Sequence, residues 1–353
     1  MTENKGASYA DAGVDIAAGD RAVELLGPIA GAATRPEVRG GIGGFAGLFA
    51  LGEYRNPLLA ASSDGVGTKL AVARMMDVHD TIGLDLVAMV VDDLVVCGAE
   101  PLFLQDYIAV GKVVPEHVAA IVSGIAEGCR RAGCALLGGE TAEHPGVMAP
   151  DEYDVSATGV GVVEADQLLG PDKVREGDVV IAMASSGLHS NGYSLARHVL
   201  LERAGLDVHA EVEDFGRTLG EELLEPTRIY ALDCLALMNE ATVRTFCHVT
   251  GGGLAANLAR VLPAGLTAEL SRGSWTPAPV FGTIAELGRV PREEMERTFN
   301  MGVGMVAVVA PADRDRALAI LTARHVDCWE LGVVRAAGEG EGRAALVGDH
   351  PRF

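Results

Sequence analysis

The sequence predicts an α/β (α+β) protein of two domains. Runs of strand character alternate with runs of helical character along the chain, and glycine marks most of the switches between them. The chain has 353 residues, more than twice the length of a typical single domain of about 150 residues. Hydrophobic residues make up 49% and charged residues 22%, which supplies enough apolar surface for two cores and excludes a disordered or fibrous polymer.

In the first half, breaker residues delimit the predicted elements. A helix over 81–97 is expected to end at Gly98, because glycine readily adopts the C-cap conformation and the nearby Pro101 cannot continue a helix. The helix that follows Pro115 carries apolar residues at helical spacing up to Cys129 and is expected to end at Gly133. Strands are predicted at 57–62, 102–110, 135–137 and 155–163.

We place the domain boundary near residue 170, in the polar stretch between two apolar strands. The predicted domains are therefore 1–170 and 171–353. In the second, we predict strands at 179–183, near 303–309 and at 331–335, and helices around 191–202, 228–240, 253–261 and 312–323. Residues 336–345, rich in Gly and Glu, are expected to form a mobile hairpin or tail.

The charge of the chain narrows the class of ligand. Lys and Arg number 28 against 49 Asp and Glu, a net charge of −21, which disfavours nucleic-acid binding. A phosphorylated small molecule would have to be attracted by a divalent metal and by backbone amides.

The start of the chain lacks a basic region followed by an apolar one, and no apolar run of about 18 residues occurs, so we expect a soluble, cytoplasmic protein. The six cysteines form no C-x-x-C pair and are expected to be buried free thiols.

A candidate phosphate site follows the first predicted strand, in the segment SDGVGTK at residues 63–69. Gly65 and Gly67 would let the backbone approach phosphate oxygens, Asp64 could hold Mg²⁺, and Lys69 could neutralise the remaining charge. The alternative is a tight turn whose Asp only caps the next helix. The segment is not a Walker motif, because the chain contains no G-x-x-x-x-G-K-[ST].

Acidic residues in apolar surroundings suggest a metal. The helix over 81–97 is apolar nearly all round yet carries Asp85, Asp92 and Asp93. Because a buried, unpaired carboxylate is costly, each must be protonated, paired with a base or bound to metal. We favour the metal over a salt bridge to a remote Arg, because Asp64, Asp106 and Glu140 can reach the same sheet. Together these acids are predicted to form a site for a metal ion and a nucleotide, as phosphoryl transfer requires.

Three glycine-containing loops are further candidates. Residues 40–47, which include Gly43 and Gly44, lack the strand and helix that a dinucleotide fingerprint needs, and they are interpreted either as a flap over a ligand or as a disordered loop. The segment 185–193 offers His189, Ser190 and Asn191 to a polar substrate, although the last two could simply cap a helix. A phosphate could bind at the TGGG segment, Thr250, Gly251, Gly252 and Gly253, whereas the adjacent His248 is interpreted as a core or supporting residue.

Taken together, these motifs resemble the phosphoribosylformylglycinamidine cyclo-ligase (aminoimidazole ribonucleotide synthetase) family over nearly the whole chain. The first half contributes SYADAGVDIAAGD, RPEVRGGIGGFAG, SDGVGTK, HDTIGLDLVAM, DDLVVCGAEPLF, VSGIAEGCRRAGC and GGETAEHPG. The second half contributes SSGLHSNGYSL, EPTRIY, TGGG and RTFNMGVGM. The second-half motifs separate this family from related ATP-binding enzymes, thiamine-monophosphate kinase and selenophosphate synthetase. A nucleotide-binding scaffold without turnover is disfavoured, because it would not need the costly acids.

The resemblance implies a fold, a reaction and a set of site residues. It implies an ATP-binding N-terminal domain with a mixed sheet that pairs across a homodimer to form a shared barrel, and an α/β C-terminal domain that binds substrate. ATP with Mg²⁺ would phosphorylate the amide oxygen of formylglycinamidine ribonucleotide, and an internal nitrogen would then displace phosphate. The implied catalytic residues are Asp64, Lys69, Asp93 and His189; the implied metal ligands are Asp64, Asp92, Asp93 and Glu140.

The resemblance also implies binding residues, and some positions depart from it. Nucleotide binding is assigned to Gly43, Gly44, Gly65, Gly67, Thr68, Lys69, Asp93, Asp106 and Glu140, and substrate binding to Ser190, Asn191, Thr250, Gly251, Gly252 and Gly253. Asp92 stands where many members have Asn, which bears on the number of metal ions. Leu188, His144 and Met301 stand where Pro, Met and Cys are frequent, and are expected to leave the reaction class intact.

Overall fold

The computed structural model describes residues 8–41, 44–338, 340 and 342–352. The strands of the first half are β1 (Val38–Arg39), β2 (Leu48–Phe49), β3 (Pro57–Gly65), β4 (Glu100–Val110), β5 (Ala135–Glu143) and β6 (Tyr153–Glu164). Its helices are α1 (Ile16–Gly31), α2 (Leu70–Met76), α3 (Thr81–Val96) and α4 (Pro115–Ala132). Short 3-10 turns lie at Ala10–Ala12 and Gly67–Lys69.

The second half is richer in short elements. Its strands are β7 (Val179–Ala184), β8 (Glu211–Val212), β9 (Arg217–Thr218), β10 (Val243–His248), β11 (Leu266–Ser271), β12 (Val303–Val309), β13 (Cys328–Ala336) and β14 (Arg343–Val347). Its helices are α5 (Tyr193–Arg197), α6 (Leu219–Leu223), α7 (Ala231–Glu240), α8 (Gly253–Ala259), α9 (Pro279–Gly288), α10 (Arg292–Thr298) and α11 (Arg314–Ala323). A π-helical turn, His198–Arg203, continues α5, and 3-10 turns lie at Pro171–Lys173, Arg272–Ser274 and Pro311–Asp313.

Each half is built on one large mixed sheet. The first has the strand order β3-β6-β4-β5, in which only the β4–β5 pair is parallel. That pair requires a crossover, which α4 supplies with a proline at its start and Gly133 (φ 73°) at its end. The second has the order β10-β12-β7-β13-β11-β14, antiparallel except for β11–β14. The mixed α/β class is confirmed.

Helix α3 joins the two halves. It packs against α4 and against β3 and β6 of the first sheet, and also against β10 and α7 of the second half. Two glycines allow the close α3–α4 contact: a Cβ at Gly124 would lie 1.8 Å from the carbonyl oxygen of Asp80, and one at Gly83 would lie 2.3 Å from the backbone nitrogen of Ile125. Because α3 is covered from several sides, nearly all its side chains are buried, as its apolar sequence predicts.

The tail prediction needs correction, whereas the other predicted elements are present. Residues 343–347 form an edge strand whose parallel pairing with β11 runs from Thr267–Arg343 to Ser271–Val347, so this part of the segment is hydrogen-bonded into the sheet. Glu339 and Glu341 lie outside the described residues.

The boundary near 170 falls between β6 and β7, and the division into two domains there stays a prediction. All six cysteines are free thiols.

Candidate active site

A row of residues across the first sheet carries two of the predicted acids. Asp64 on β3 pairs with Ala157 on β6, which pairs in turn with Asp106 on β4. Directly paired residues share one face of a sheet, so both carboxylates point toward the side that α3 covers. With strands about 4.8 Å apart, the two aspartates lie about 10 Å from each other.

Asp64 meets Asp93 and His248 where the two halves join. Asp93 lies in the last turn of α3 and its side chain is 44% exposed, whereas that of His248, at the end of β10, is 2% exposed. His248 Nδ1 lies 2.9 Å from Asp93 Oδ1. Burial raises the pKa of Asp64, and the charge of Asp93 raises it further. Two carboxylates that repel each other in this way form an environment suited to a divalent cation.

A cavity of about 320 Å³ opens beside Asp93. His248, Asn257 and Arg260 from the second half line it, together with Ser62 from the first. Burial lowers the pKa of His248, but the hydrogen bond to Asp93 and the charges of three nearby carboxylates outweigh this and raise the pKa above its ordinary value. The cavity therefore combines one carboxylate, an imidazole and a guanidinium, which is a donor set for a metal and an anion together.

Asp106 and Glu140 line a second cavity, of about 360 Å³, together with Gly44. Burial raises the pKa of Asp106 to about 7. The neighbouring strand carries Gly139 opposite Asp106, where a Cβ would lie 2.4 Å from the carboxylate, so only glycine leaves room for it. Of the predicted flap, Gly44 lies against this cavity, whereas Ile42 and Gly43 lie outside the described residues.

Asp92 does not reach either cavity. Its side chain is completely buried, and its Oδ1 accepts a hydrogen bond of 2.9 Å from the backbone N–H of Tyr230. Its Oδ2 has no hydrogen-bond partner among the described residues. Burial raises the pKa of Asp92 to about 7. This geometry favours a role in holding the second half against α3 and gives no support to Asp92 as a metal ligand.

Lys69 is likewise turned away from the predicted phosphate turn. It is completely buried, and its Nζ donates to Asp85 (2.9 Å) and to the carbonyl oxygens of His189 (3.1 Å) and Glu225 (2.7 Å). These bonds use all three N–H groups of the ammonium, so none is left for phosphate. Asp85 also accepts from the N–H and hydroxyl of Thr227, at 2.7 and 2.6 Å. The geometry thus gives Lys69 a structural role as the partner of Asp85. Of the three possibilities for a buried acid, Asp85 is the one that is paired with a basic side chain.

His189 is buried in the loop that follows β7. Its backbone has a φ of 62°, and its Nε2 accepts from the N–H of Ser186 at 3.1 Å. Its Nδ1 has no hydrogen-bond partner within the described ranges. Burial lowers the pKa of His189 well below its ordinary value, and the charges of His248, Lys69 and Arg228 lower it further. The imidazole is therefore neutral, and because Nε2 already accepts from Ser186, its proton lies on Nδ1.

The two substrate loops predicted in the second half touch each other. Asn191 Oδ1 accepts a hydrogen bond of 2.9 Å from the N–H of Gly251, and Ser190 Oγ lies 3.1 Å from the hydroxyl of Thr227. Thr68, in the turn after β3, lies 3.2 Å from the hydroxyl of Ser194. The turn that contains Gly65 and Gly67 therefore faces the first substrate loop across the junction of the halves.

Sequence reasoning missed the residue that shapes the TGGG loop. Asn257 Nδ2 lies 3.2, 3.1 and 2.9 Å from the carbonyl oxygens of Thr250, Gly251 and Gly253. Gly252 and Gly253 have positive φ values of 97° and 76°, and a Cβ at Gly253 would lie 1.8 Å from the carbonyl oxygen of Glu296. The available signal was an amide side chain one helical turn after the glycines, a spacing that lets it reach back to their carbonyls.

The predicted metal ligands separate into two groups. Within the described part of the chain, Asp64, Asp92, Asp93 and Glu140 do not converge: no three of them bring ligand atoms within 4.8 Å of one another. Asp64 and Asp93 lie at the junction of the halves, and Glu140 lies at the second cavity. Magnesium in nucleotide sites is commonly held by one or two carboxylates and by the phosphates themselves, so a complete protein cage is not required.

Comparisons with known proteins show the family. The families described as "AIR synthase related protein, N-terminal domain" and "AIR synthase related protein, C-terminal domain" match residues 46–163 and 175–344. A phosphoribosylformylglycinamidine cyclo-ligase from Anaeromyxobacter dehalogenans is 55% identical over 342 residues, which are 96% of this chain and 99% of that protein. The cyclo-ligase from Myxococcus xanthus is 52% identical over 343 residues, 97% and 99% of the two chains.

Solved structures share the fold at low identity. A thiamine-monophosphate kinase from Stenotrophomonas maltophilia has a TM-score of 0.68 at 19% identity and covers 92% of this chain and 96% of its own. The hydrogenase maturation protein HypE in complex with ATP has a TM-score of 0.62 at 18% identity and covers 92% and 91%. Because the curated relatives match both halves at high identity, the chain belongs to the phosphoribosylformylglycinamidine cyclo-ligase family of enzymes.

Proposed function

We propose that the protein converts formylglycinamidine ribonucleotide to 5-aminoimidazole ribonucleotide in de novo purine biosynthesis, with conversion of ATP to ADP and phosphate. The observation that carries this proposal is the 55% identity to cyclo-ligases over 96% of the chain, which includes both the acid row and the substrate loops. A kinase of the same fold is disfavoured, because its likeness is limited to 19% identity and therefore to the fold.

The proposed chemistry needs charge neutralisation and positioning. ATP phosphorylates the amide oxygen of the substrate, which makes the attached carbon electrophilic and turns that oxygen into a leaving group. A nitrogen of the same molecule then attacks this carbon, phosphate departs, and the ring closes. No Ser or Cys nucleophile is required, and four of the six cysteines are in fact buried in the interior.

Mg²⁺ fits the carboxylates at the junction. Burial raises the pKa of Asp64 and the charge of Asp93 raises it further, and the half-exposed Asp93 side chain lines the 320 Å³ cavity. When bound, the ion would neutralise phosphate oxygens during transfer. His248 orients the Asp93 carboxylate through its 2.9 Å hydrogen bond. Asp106 and Glu140, at the cavity that Gly44 also lines, would face the other end of the nucleotide.

The substrate is proposed to lie on the side of the second half. The TGGG loop, shaped by Asn257, would hold the phosphate of the substrate through backbone N–H groups. Arg260 would add a positive charge to this site, in a chain whose net charge is −21. Asn191 fixes the distance between the two substrate loops through Gly251. His189 is proposed as a positioning residue, because its Nε2 accepts from the N–H of Ser186 and so fixes the loop that carries Ser190 and Asn191.

A homodimer is also part of the proposal. The open face of the first sheet exposes apolar side chains, among them Leu59 (63% exposed) and Tyr107 (41%), and an exposed apolar surface on a sheet is typical of an interface. We also propose a cytoplasmic location, where ATP is supplied to biosynthetic enzymes. Among the described residues, no helix has the length and apolar character needed to cross a membrane.

The activity is tested by incubation of the protein with Mg-ATP and formylglycinamidine ribonucleotide. We expect 5-aminoimidazole ribonucleotide, with one ADP formed per molecule of product and no ADP without the nucleotide substrate. Thiamine monophosphate is the matched control, since the kinase shares the fold. ADP formation with thiamine monophosphate and none with formylglycinamidine ribonucleotide would refute the proposal.

A further inference from the structure

A cluster of two histidines and one aspartate lies outside the candidate active site. Asp77 ends α2, His79 follows two residues later, and His117 lies in the first turn of α4. One ligand atom from each of the three lies within 4.8 Å of the other two. They line a cavity of about 330 Å³ that shares no lining residue with the two cavities of the active site.

The distances within this cluster match those of a tetrahedral metal site. Asp77 Oδ1 lies 3.1 Å from His79 Nε2 and 3.7 Å from His117 Nε2. Bonds of about 2.0 Å at tetrahedral angles separate neighbouring ligand atoms by roughly 3.3 Å, a value between these two distances. The two imidazole rings are tilted by 35° to each other, with centroids 4.2 Å apart, and both Nε2 atoms lie within 3.7 Å of the same carboxylate oxygen.

A hydrogen bond behind His79 fits the same assignment. The other ring nitrogen, Nδ1, lies 2.9 Å from the hydroxyl of Tyr153, the first residue of β6. A histidine that binds a metal through Nε2 carries its proton on Nδ1 and donates it to such a neighbouring oxygen.

The surroundings also favour a cation. The cavity is lined by three carboxylates, Asp77, Asp151 and Glu152, against two cations, Arg74 and Lys112. Arg74 is paired with Asp151 and, at 3.8 Å, with Glu152, so its charge is already balanced. The open side of the cavity leaves room for water to complete the coordination.

We propose that Asp77, His79 and His117 bind one Zn²⁺ ion, which ties the end of α2 to the start of α4. Imidazole nitrogen with a single carboxylate oxygen selects zinc-type ions over Mg²⁺, which prefers an all-oxygen environment. The site is therefore distinct in chemistry from the carboxylates at the junction of the halves, and it does not depend on the proposed function.

The test uses Co²⁺ as a visible probe of the metal-free, full-length protein. With excess Mg²⁺ present to fill the oxygen sites, we expect one Co²⁺ per chain, with the visible absorption of tetrahedral Co²⁺ and displacement by Zn²⁺. His117→Asn and Asp77→Asn should each abolish this absorption, and both sites are exposed enough for the chain to fold without them. Tyr153→Phe should weaken binding by about 10–100-fold.

A second histidine–carboxylate pair provides the control. His198 Nδ1 lies 2.7 Å from Glu202 on the surface, and among the described residues this pair belongs to no group of three potential ligands, so His198→Asn should leave Co²⁺ binding unchanged. The proposal would be overturned if His117→Asn kept the Co²⁺ absorption. It would also be overturned if excess Mg²⁺ displaced all the Co²⁺ from the wild-type protein.

Discussion

At the scale of single residues, the acids of α3 show what sequence could and could not predict. Burial of this helix was predictable, and with it the requirement that each carboxylate be paired, protonated or bound to metal. The structure uses a different solution for each: Asp85 pairs with Lys69, burial raises the pKa of Asp92 to about 7, and Asp93 stays half-exposed near Asp64. The partner of Asp93 is 155 positions away, so no local pattern could assign it.

The contrast between Asp92 and Asp93 is testable by equivalent substitutions. Asp93→Asn should lower turnover by about 10²–10³-fold, because it removes a preorganised charge from the phosphate site. Asp92→Asn should leave turnover within a few-fold of wild type, since the amide oxygen can still accept from the N–H of Tyr230. Steady-state rates with saturating Mg²⁺ measure both. An equal loss in the two variants would return Asp92 to the set of metal ligands.

At the scale of elements, strong periodicity was a reliable guide, and the elements that escaped prediction have identifiable physical causes. The predicted helix over 81–97 and the observed α3 (Thr81–Val96) agree closely. Helix α1 escaped prediction because its sequence, IAAGDRAVELLGPIAG, contains glycines and an internal Pro28, which lower helix propensity. Strand β14 escaped because its stability comes from pairing with β11, more than 70 residues earlier, which local composition does not reveal.

The TGGG loop gives a prediction at this scale. Asn257→Ala removes the amide that holds three loop carbonyls, so the backbone N–H groups lose their fixed arrangement. We expect KM for formylglycinamidine ribonucleotide to rise about tenfold, since a lost hydrogen bond costs roughly 1.4 kcal/mol here. KM for ATP should not change. Asn239→Ala, at an exposed position of α7, is the control. A KM unchanged by Asn257→Ala would show that the loop does not bind the substrate.

At the scale of the whole molecule, buried polar contacts of α3 and its neighbours hold the halves together. Asp85 and Asp92 both accept backbone N–H groups from the segment between α6 and α7, at Thr227 and Tyr230. Lys69 adds donors to carbonyl oxygens of His189 and Glu225 in the second half. The candidate site lies at the same junction, so contacts that maintain the fold also set the distance between the acids and the substrate loops.

This arrangement predicts that Lys69 and Asp85 act as a coupled pair in stability. Lys69→Met or Asp85→Asn alone should lower the free energy of unfolding by about 3–5 kcal/mol, because each leaves a buried charge without its partner. The double variant should cost less than the sum of the two single changes, with a coupling of roughly 1–3 kcal/mol, since it removes both charges at once. Denaturant unfolding of the four proteins gives the cycle, and additive costs would refute the pairing. Turnover of the double variant tests whether Lys69 also takes part in catalysis. We expect activity near that of wild type, because Lys69 holds the halves together. A loss of about 10²-fold or more in a folded protein would show that its ammonium reaches phosphate.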